Sequence, residues 1–242
     1  MSKSDRRAQV KQELREKIQI ARKEQRVVRN APATNVNLRK ELEQDIVSTI
    51  EELESLAPYA KPLIENPGLI DGIWRTLYSD AREISFLAKL PGGFKCGQVL
   101  QVIDLANSKF FNIAVIVHST GLLKGFVRVS AIFTPAPNRS LVKKRGVFQL
   151  DGNLILIQFK LRSYHLARLA IFPNIFKKQP IQAVNANDGG GYRVPSLLLT
   201  YIDEEIRVGR SADGRIFLLE KIEKIPWGTS LPKGIFDKTD GF

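Results

Sequence analysis

The spacing of the apolar residues changes at Gly72, and this change limits the possible folds more than any other feature of the chain. Before Gly72 apolar residues recur every three or four positions, as on the buried face of a helix, whereas after it they alternate, as in strands. The alternation predicts strands at 72–79, 83–88, 98–104, 110–117, 123–133, 145–150, 153–161, 195–202, 204–210 and 215–220. Many antiparallel strands without helices between them indicate a β-sandwich or a β-barrel.

Two helices are predicted before the strands. Residues 8–29 carry a thin apolar stripe, which leaves weak docking, a position on a membrane surface and fraying as alternatives. The segment between Asn37 and Pro62 carries a broader stripe that should pack on the main domain. The two stripes are Val10, Leu14, Ile18 and Ala21, and then Leu38, Leu42, Ile46, Ile50 and Leu53. We therefore expect a basic helix and linker over 1–37, followed by a helix plus barrel domain over 38–242.

The charge of the chain is uneven. Residues 1–30 hold ten Lys and Arg against four Asp and Glu, which is half of the net charge of +12. We expect a solvated basic helix rather than a dedicated binding arm, with weak and reversible attraction to an anionic membrane surface. Nucleic acid is not an expected partner, because the aromatic residues lie inside apolar strands rather than among the basic ones.

Residues that carry chemistry are scarce. The two histidines, His118 and His165, lack metal-ligand spacing, and Cys96 is the only cysteine, so neither a metal site nor a catalytic thiol is expected. Lys95 beside Cys96 could lower its pKa, yet a buried or neutral thiol is the favoured interpretation. Three acids at strand ends are expected to make turns: Asp104, Asp151 and Asp203. We expect no enzyme and no cofactor.

An apolar β interior without reactive groups suits a container for a small apolar molecule. In the segment 153–161 the residues Ile155, Ile157 and Phe159 share one face, and together with Phe126 they are the candidate ligand-binding wall. No run of about 18 apolar residues is present, and the N-terminus lacks the apolar core of a secretory signal. A cytoplasmic or peripheral membrane location is expected.

Two segments resemble the plastid lipid-associated proteins, or fibrillins. They are LESLAPYAKPLIENPGLIDGIWRTLYSD at 53–80 and YRVPSLLLTYIDEEIRVGRSADGRIFLLEK at 192–221. The matching motif positions include Gly72, Trp74, Tyr78, Asp203, Arg207, Arg210 and Gly214. For these positions a role in folding is favoured, with ligand contacts made by the apolar wall.

The resemblance implies a lipocalin-like antiparallel β-barrel that binds or carries a carotenoid, prenylquinone or lipid near photosynthetic membranes. It also implies links to plastoglobules and photoprotection, and the absence of a transit peptide favours a cyanobacterial-type member at the thylakoid surface. The alternative is a non-enzymatic scaffold for prenylquinone-synthesising enzymes.

Trp74 lies at the threshold between the helical and the strand pattern. In a lipocalin-like barrel the first and last strands are neighbours, which brings Trp74 close to the arginines of the closing motif. If the aliphatic residues Ile206 and Val208 face the interior, Arg210 does too. We therefore expect Trp74 to seal one barrel end under Arg210, with Arg207 as the second choice.

Overall fold

The computed structural model describes residues 1–120, 124–135, 140–143, 146–149, 152–167, 175–180 and 195–223. The helices of this part are α1 (Lys3–Glu24), α2 (Lys40–Ser55), α3 (Pro62–Glu65) and α4 (Arg82–Leu87), with a 3-10 helix at Pro67–Ile70. The strands are β1 (Ala33–Thr34), β2 (Gly72–Ser79), β3 (Phe94–Asp104), β4 (Lys109–His118), β5 (Lys124–Pro135), β6 (Ser140–Lys143), β7 (Gly146–Gln149), β8 (Leu154–Ala167), β9 (Ile175–Pro180), β10 (Ser196–Ile202), β11 (Ile206–Ser211) and β12 (Ile216–Ile222).

Eight of these strands close into an antiparallel barrel. Their order is β2-β3-β4-β5-β8-β10-β11-β12, and the barrel closes where β12 pairs with β2. β9 adds to β8, β1 runs parallel to β2, and β6 pairs with β7 in a separate hairpin. The predicted fold class, a mainly β barrel with N-terminal helices, is confirmed.

One predicted strand, 83–88, is wrong, since this segment forms most of helix α4. The alternation of Ile84 and Phe86 suggested a strand, but Ile84 is buried while Phe86 is 67% exposed. Leu87, three positions after Ile84, packs against the same cluster, and three positions is the spacing of one helix face.

Helix α1 is docked rather than solvated, so the expectation of a solvated helix is wrong. Its apolar stripe is 0–1% exposed and packs with α2 on the outside of the barrel. The shared cluster comprises Val10, Leu14, Ile18, Ala21, Ile46, Ile50, Leu53, Tyr78, Tyr201, Ile206, Val208 and Leu218, among others. Each fully buried aliphatic side chain contributes about 1.5–3 kcal/mol, so even a thin stripe holds a helix. The domain boundary after residue 37 stays a prediction, and residues on both sides of it share this cluster.

Part of the basic charge of α1 meets acids of the barrel. Lys11 Nζ lies 3.0 Å from Asp203 Oδ2 and 3.1 Å from Glu205 Oε2, and Arg15 Nη2 lies 2.9 Å from the same Glu205 oxygen. Arg6 pairs with Glu52 of α2. These contacts fix α1 over the turn between β10 and β11.

Candidate functional site: the barrel interior

The strand registers show which residues share the interior face. Residues that pair across neighbouring strands point to the same side of a sheet. Trp74 is opposite both Gln101 of β3 and Lys221 of β12. Leu219 is opposite Arg207 of β11, and it lies two positions from Lys221, so Arg207 shares the face of Trp74.

Apolar side chains from all parts of the barrel wall meet on this interior face. The cluster contains Leu69, Ile70, Trp74, Ile103, Phe110, Ala131, Phe133, Ile155, Ile157, Leu197, Leu199, Ile202 and Leu219, with Phe159 and Phe217 packed against it. Three of the four candidate wall residues, Ile155, Ile157 and Phe159, therefore lie together as expected from their shared face.

Phe126 lies on the opposite face. In β5 the residues Ala131 and Phe133 face the interior, so the alternation of the strand turns Phe126 outward. It joins an outer apolar cluster with Leu100, Val102, Phe111 and Ile113. The sequence did not separate the two faces of this strand, because Phe126 and its neighbour Val127 are both apolar.

Trp74 seals the interior at the end where β2 begins. Gly72 enters the strand with φ 111°, a backbone conformation that favours glycine, and Trp74 follows two residues later. Its indole is 0% exposed, and Nε1 donates a hydrogen bond of 2.8 Å to the carbonyl oxygen of Ile70 in the 3-10 helix. That helix also buries Leu69 and Ile70 in the interior cluster.

The arginine that lies over Trp74 is Arg207, which was the second candidate. The prediction that Arg210 lies there is wrong. The Arg207 Cζ atom lies 4.8 Å from the centre of the Trp74 ring, and Lys221 Nζ lies 5.2 Å from it. Ile206 and Val208 face α1 and α2, not the interior, so the assumption that placed Arg210 inside was inverted. Both faces of β11 are buried, and aliphatic residues therefore did not mark the inside.

Arg210 lies instead on the helix-covered outer face. Its Nε and Nη2 atoms donate hydrogen bonds of 2.8 and 2.7 Å to the two carboxylate oxygens of Glu54 in α2. The Thr200 hydroxyl donates to the same carboxylate at 2.5 Å. This bidentate contact joins α2 to β10 and β11.

Arg207 is buried without a comparable partner. It is 0% exposed, and its Nη2 atom donates to Gln101 Oε1. Its Nε and Nη1 atoms have no hydrogen-bond partner among the described residues. Burial lowers the pKa of Arg207 to about 9, which leaves the guanidinium charged at neutral pH. Among the described residues of the interior face none is acidic.

The opposite end of the barrel is occupied by helix α4. Ala81 and Ile84 pack on Val99, Ala114 and Phe217. The strand registers place Val99 and Ala114 on the interior face. The two ends thus differ, since one carries a tryptophan under an arginine and the other a short helix with apolar contacts.

The remaining motif residues have positions outside the interior. Tyr78 is fully buried under the helices. Asp203 organises the turn after β10, where Oδ1 accepts hydrogen bonds from the backbone N–H groups of Glu205 and Ile206 at 2.8 and 2.7 Å. Gly214, with φ 84°, makes the turn between β11 and β12.

The described side chains form no reactive constellation. Burial raises the pKa of the Cys96 thiol to about 12, opposite to the lowering that Lys95 could have caused. The His118 ring nitrogens contact Thr120 Oγ1 at 2.8 Å and the Gly92 carbonyl at 3.1 Å. No cluster of metal-ligating residues is found among the described side chains, which do not include those of Asp151 and His165. Asp104 makes the expected turn by accepting from the Asn107 N–H at 3.1 Å.

Within the described ranges, no helix is both long and apolar enough to cross a membrane.

Comparison with known proteins agrees with this architecture. The PAP_fibrillin family matches residues 19–220. The chain is 26% identical over 206 residues to an Arabidopsis thaliana protein described as "Probable plastid-lipid-associated protein 3, chloroplastic". That alignment covers 75% of this chain and 52% of the relative, so the chain spans about half the relative's length. No solved structure is a significant match. Since the family match extends over most of the chain, from within α1 to within β12, the chain belongs to the PAP_fibrillin family.

Proposed function

We propose that this protein binds or carries an apolar small molecule, a carotenoid, a prenylquinone or a lipid, inside its barrel. The observation that carries the proposal is the interior face of a closed eight-stranded barrel, lined by apolar side chains and sealed at one end by Trp74. Barrels of this size are wide enough to hold one small ligand, and such sites combine apolar walls with a few polar groups. The role is non-catalytic.

Ile155, Ile157 and Phe159 are the proposed wall contacts. They follow one another on the interior face of β8, which is paired with β5 on one side and with β10 and β9 on the other. Since Trp74 closes one end, ligand enters through the end that α4 occupies. Movement of α4 requires breaking only the contacts of a six-residue helix whose buried residue is Ile84.

The proposed setting is a photosynthetic membrane, and the proposed role is related to photoprotection. The family and the plastid-lipid-associated relative support it. Weak attraction to an anionic membrane surface is proposed for α1, because its outward face keeps basic residues such as Lys3 and Lys23 exposed while its apolar stripe docks on the barrel. A cyanobacterial thylakoid is the proposed membrane.

Extraction of the protein from its native host tests the proposal directly. We expect mass spectrometry of the extract to find one carotenoid, quinone or lipid in stoichiometric amount. Copurification of a stoichiometric prenylquinone-synthesising enzyme, with no small molecule bound, would support a scaffold function and contradict the proposal.

A pair of substitutions on one strand tests the site in purified protein. Ile157→Trp places an indole in the interior, whereas Gln158→Trp adds the same group on the exposed face of β8. We expect the first to weaken binding of a fluorescent polyene, measured by titration, and the second to leave it unchanged. Equal binding by both variants would place the ligand outside the barrel.

A further inference from the structure

We propose that Arg207 binds the anionic head group of the ligand, so that the barrel takes amphipathic molecules with a carboxylate at the end of an apolar chain. This inference rests on the proposed function and adds the chemical class and the orientation of the ligand. It follows from an arginine that is completely buried and only partly hydrogen-bonded.

The hydrogen bonding of Arg207 leaves donors free. A guanidinium has five N–H bonds, and the contact with Gln101 Oε1 uses one of those on Nη2. The Nε and Nη1 atoms are buried, and the part of the chain that the structure describes supplies no acceptor for their three N–H bonds. Buried donors are almost always satisfied in folded proteins, so an acceptor bound at these N–H groups would be strongly stabilised.

The positive charge around Arg207 favours an anionic acceptor over a neutral one. Burial lowers the pKa of Arg207, and no carboxylate of the described residues compensates for it. Lys221 adds a second positive charge, with Nζ 5.2 Å from the Trp74 ring and 3.2 Å from the Leu69 carbonyl oxygen. A buried charge without a counter-ion is strongly unfavourable, and a bound carboxylate would supply the counter-ion.

The surroundings of Arg207 determine how the ligand lies. Trp74 covers one face of the guanidinium at the sealed end of the barrel. Leu219 and Ile202 are its neighbours on adjacent strands, and the apolar cluster continues from them along the wall. A carboxylate at Arg207 therefore directs the apolar chain away from Trp74, towards α4.

A purely structural role would make Arg207 a cover for the indole and no more. In that case acidic and neutral ligands with the same chain would bind equally well. The comparison of an acid with its ester therefore separates the two roles, because esterification removes the charge and leaves the chain unchanged.

The experiment uses cis-parinaric acid and its methyl ester with the full chain. Trp227→Phe leaves Trp74 as the sole tryptophan, so energy transfer from Trp74 to the polyene reports binding near the sealed end. We expect the acid to bind about tenfold more tightly than the ester at neutral pH, as for a hydrogen-bonded charged pair. In the Arg207→Met variant we expect that preference to fall below about twofold while the ester still binds.

Arg210→Met is the matched control, since Arg210 is on the same strand but bonds to Glu54 on the outer face. The Arg210→Met variant should still bind the acid about tenfold more tightly than the ester. If the Arg207→Met variant does not fold, the acid and ester titrations of the parent protein still decide. Equal affinities of acid and ester there would overturn the head-group proposal alone, whereas binding of neither would overturn the proposed function as well.

Discussion

Two arginines three positions apart on β11 show how differently the two sides of the barrel wall are built. On the outer face, under α1 and α2, Arg210 makes a bidentate contact with Glu54 at 2.7–2.8 Å. On the inner face Arg207 is more deeply buried, yet Gln101 is its single hydrogen-bond partner among the described residues. Arg210 therefore has a carboxylate partner on the outer face, whereas Arg207 has no acidic partner on the inner face among the described residues. The contrast supports the proposal that Arg210 stabilises the docked helix α2 and that Arg207 takes part in ligand recognition.

Removing the seal tests the inner face with the largest expected effect. Trp74→Ala should lower the free energy of unfolding by about 3–5 kcal/mol through the cavity that it leaves. Ligand binding should persist in protein that remains folded, because the indole closes the barrel end and the wall holds the chain of the ligand. Chemical denaturation and polyene titration measure the two effects. Selective loss of binding with unchanged stability would make Trp74 a ligand contact.

Truncation on the outer face should have a smaller but still large effect. Leu14→Ala in α1 should cost about 3 kcal/mol, since Leu14 is 1% exposed between α2 and the barrel. Ile20→Ala, at a residue of the same helix that is 46% exposed, is the control and should change the stability by less than about 0.5 kcal/mol. Equal effects of the two would show that α1 is not docked, and polyene binding should be unaffected by either.

The contact between Glu54 and Arg210 is expected to contribute less than the apolar core. Glu54→Gln should lower the unfolding free energy by about 2 kcal/mol, because it weakens charged hydrogen bonds to a half-buried arginine. Glu51→Gln is the matched control, as Glu51 lies 4.0 Å from Arg210 Nη2 and its side chain is 60% exposed. It should have nearly no effect in the same denaturation experiment. A large effect of Glu51→Gln would contradict this assignment of the outer-face network.

The smallest expected effect is a pH dependence of the α1 contact at Asp203. Burial raises the pKa of this carboxyl. Hydrogen bonds from Tyr201, from the Ile206 and Glu205 N–H groups and from Lys11 have the larger, opposite effect, so the pKa lies below its ordinary value of 3.8. The unfolded chain then takes up the proton first as the pH falls. The stabilisation is therefore complete above about pH 5 and is lost as the pH falls through 3.8 and below.

Melting temperatures between pH 7 and pH 3 measure this effect. The difference between the parent protein and Asp203→Asn should shrink on acidification, because the unfolded parent takes up a proton at a higher pH than the folded parent does, which removes the stabilisation by the carboxylate. Glu204→Gln, at an exposed neighbouring acid, is the control. A difference that stays constant over this range would show that the charge of Asp203 does not stabilise the fold.

The sequence by itself determined the fold class and most of its elements. The alternation after Gly72 placed strand β2 at its observed bounds, and two glycines that follow an aspartate, Gly152 and Gly214, have positive φ. The four residues of the predicted apolar stripe of α1 are the residues of that helix that are buried in the structure. These features depend on local geometry, since the period of a pattern and the need for glycine at positive φ are set by neighbours along the chain.

Only the tertiary structure decided which side of each strand is the inside. Ile206 and Val208 lie under the helices and Arg207 lies in the barrel, the reverse of the expectation, and Phe126 also faces outward. Alternation fixes which residues share a face. When one face meets the barrel core and the other meets helices, both faces are apolar, so the pattern does not tell which of them points inward. The partner of each arginine was undetermined for the same reason, because Glu54 and Trp74 reach β11 from opposite sides of one wall.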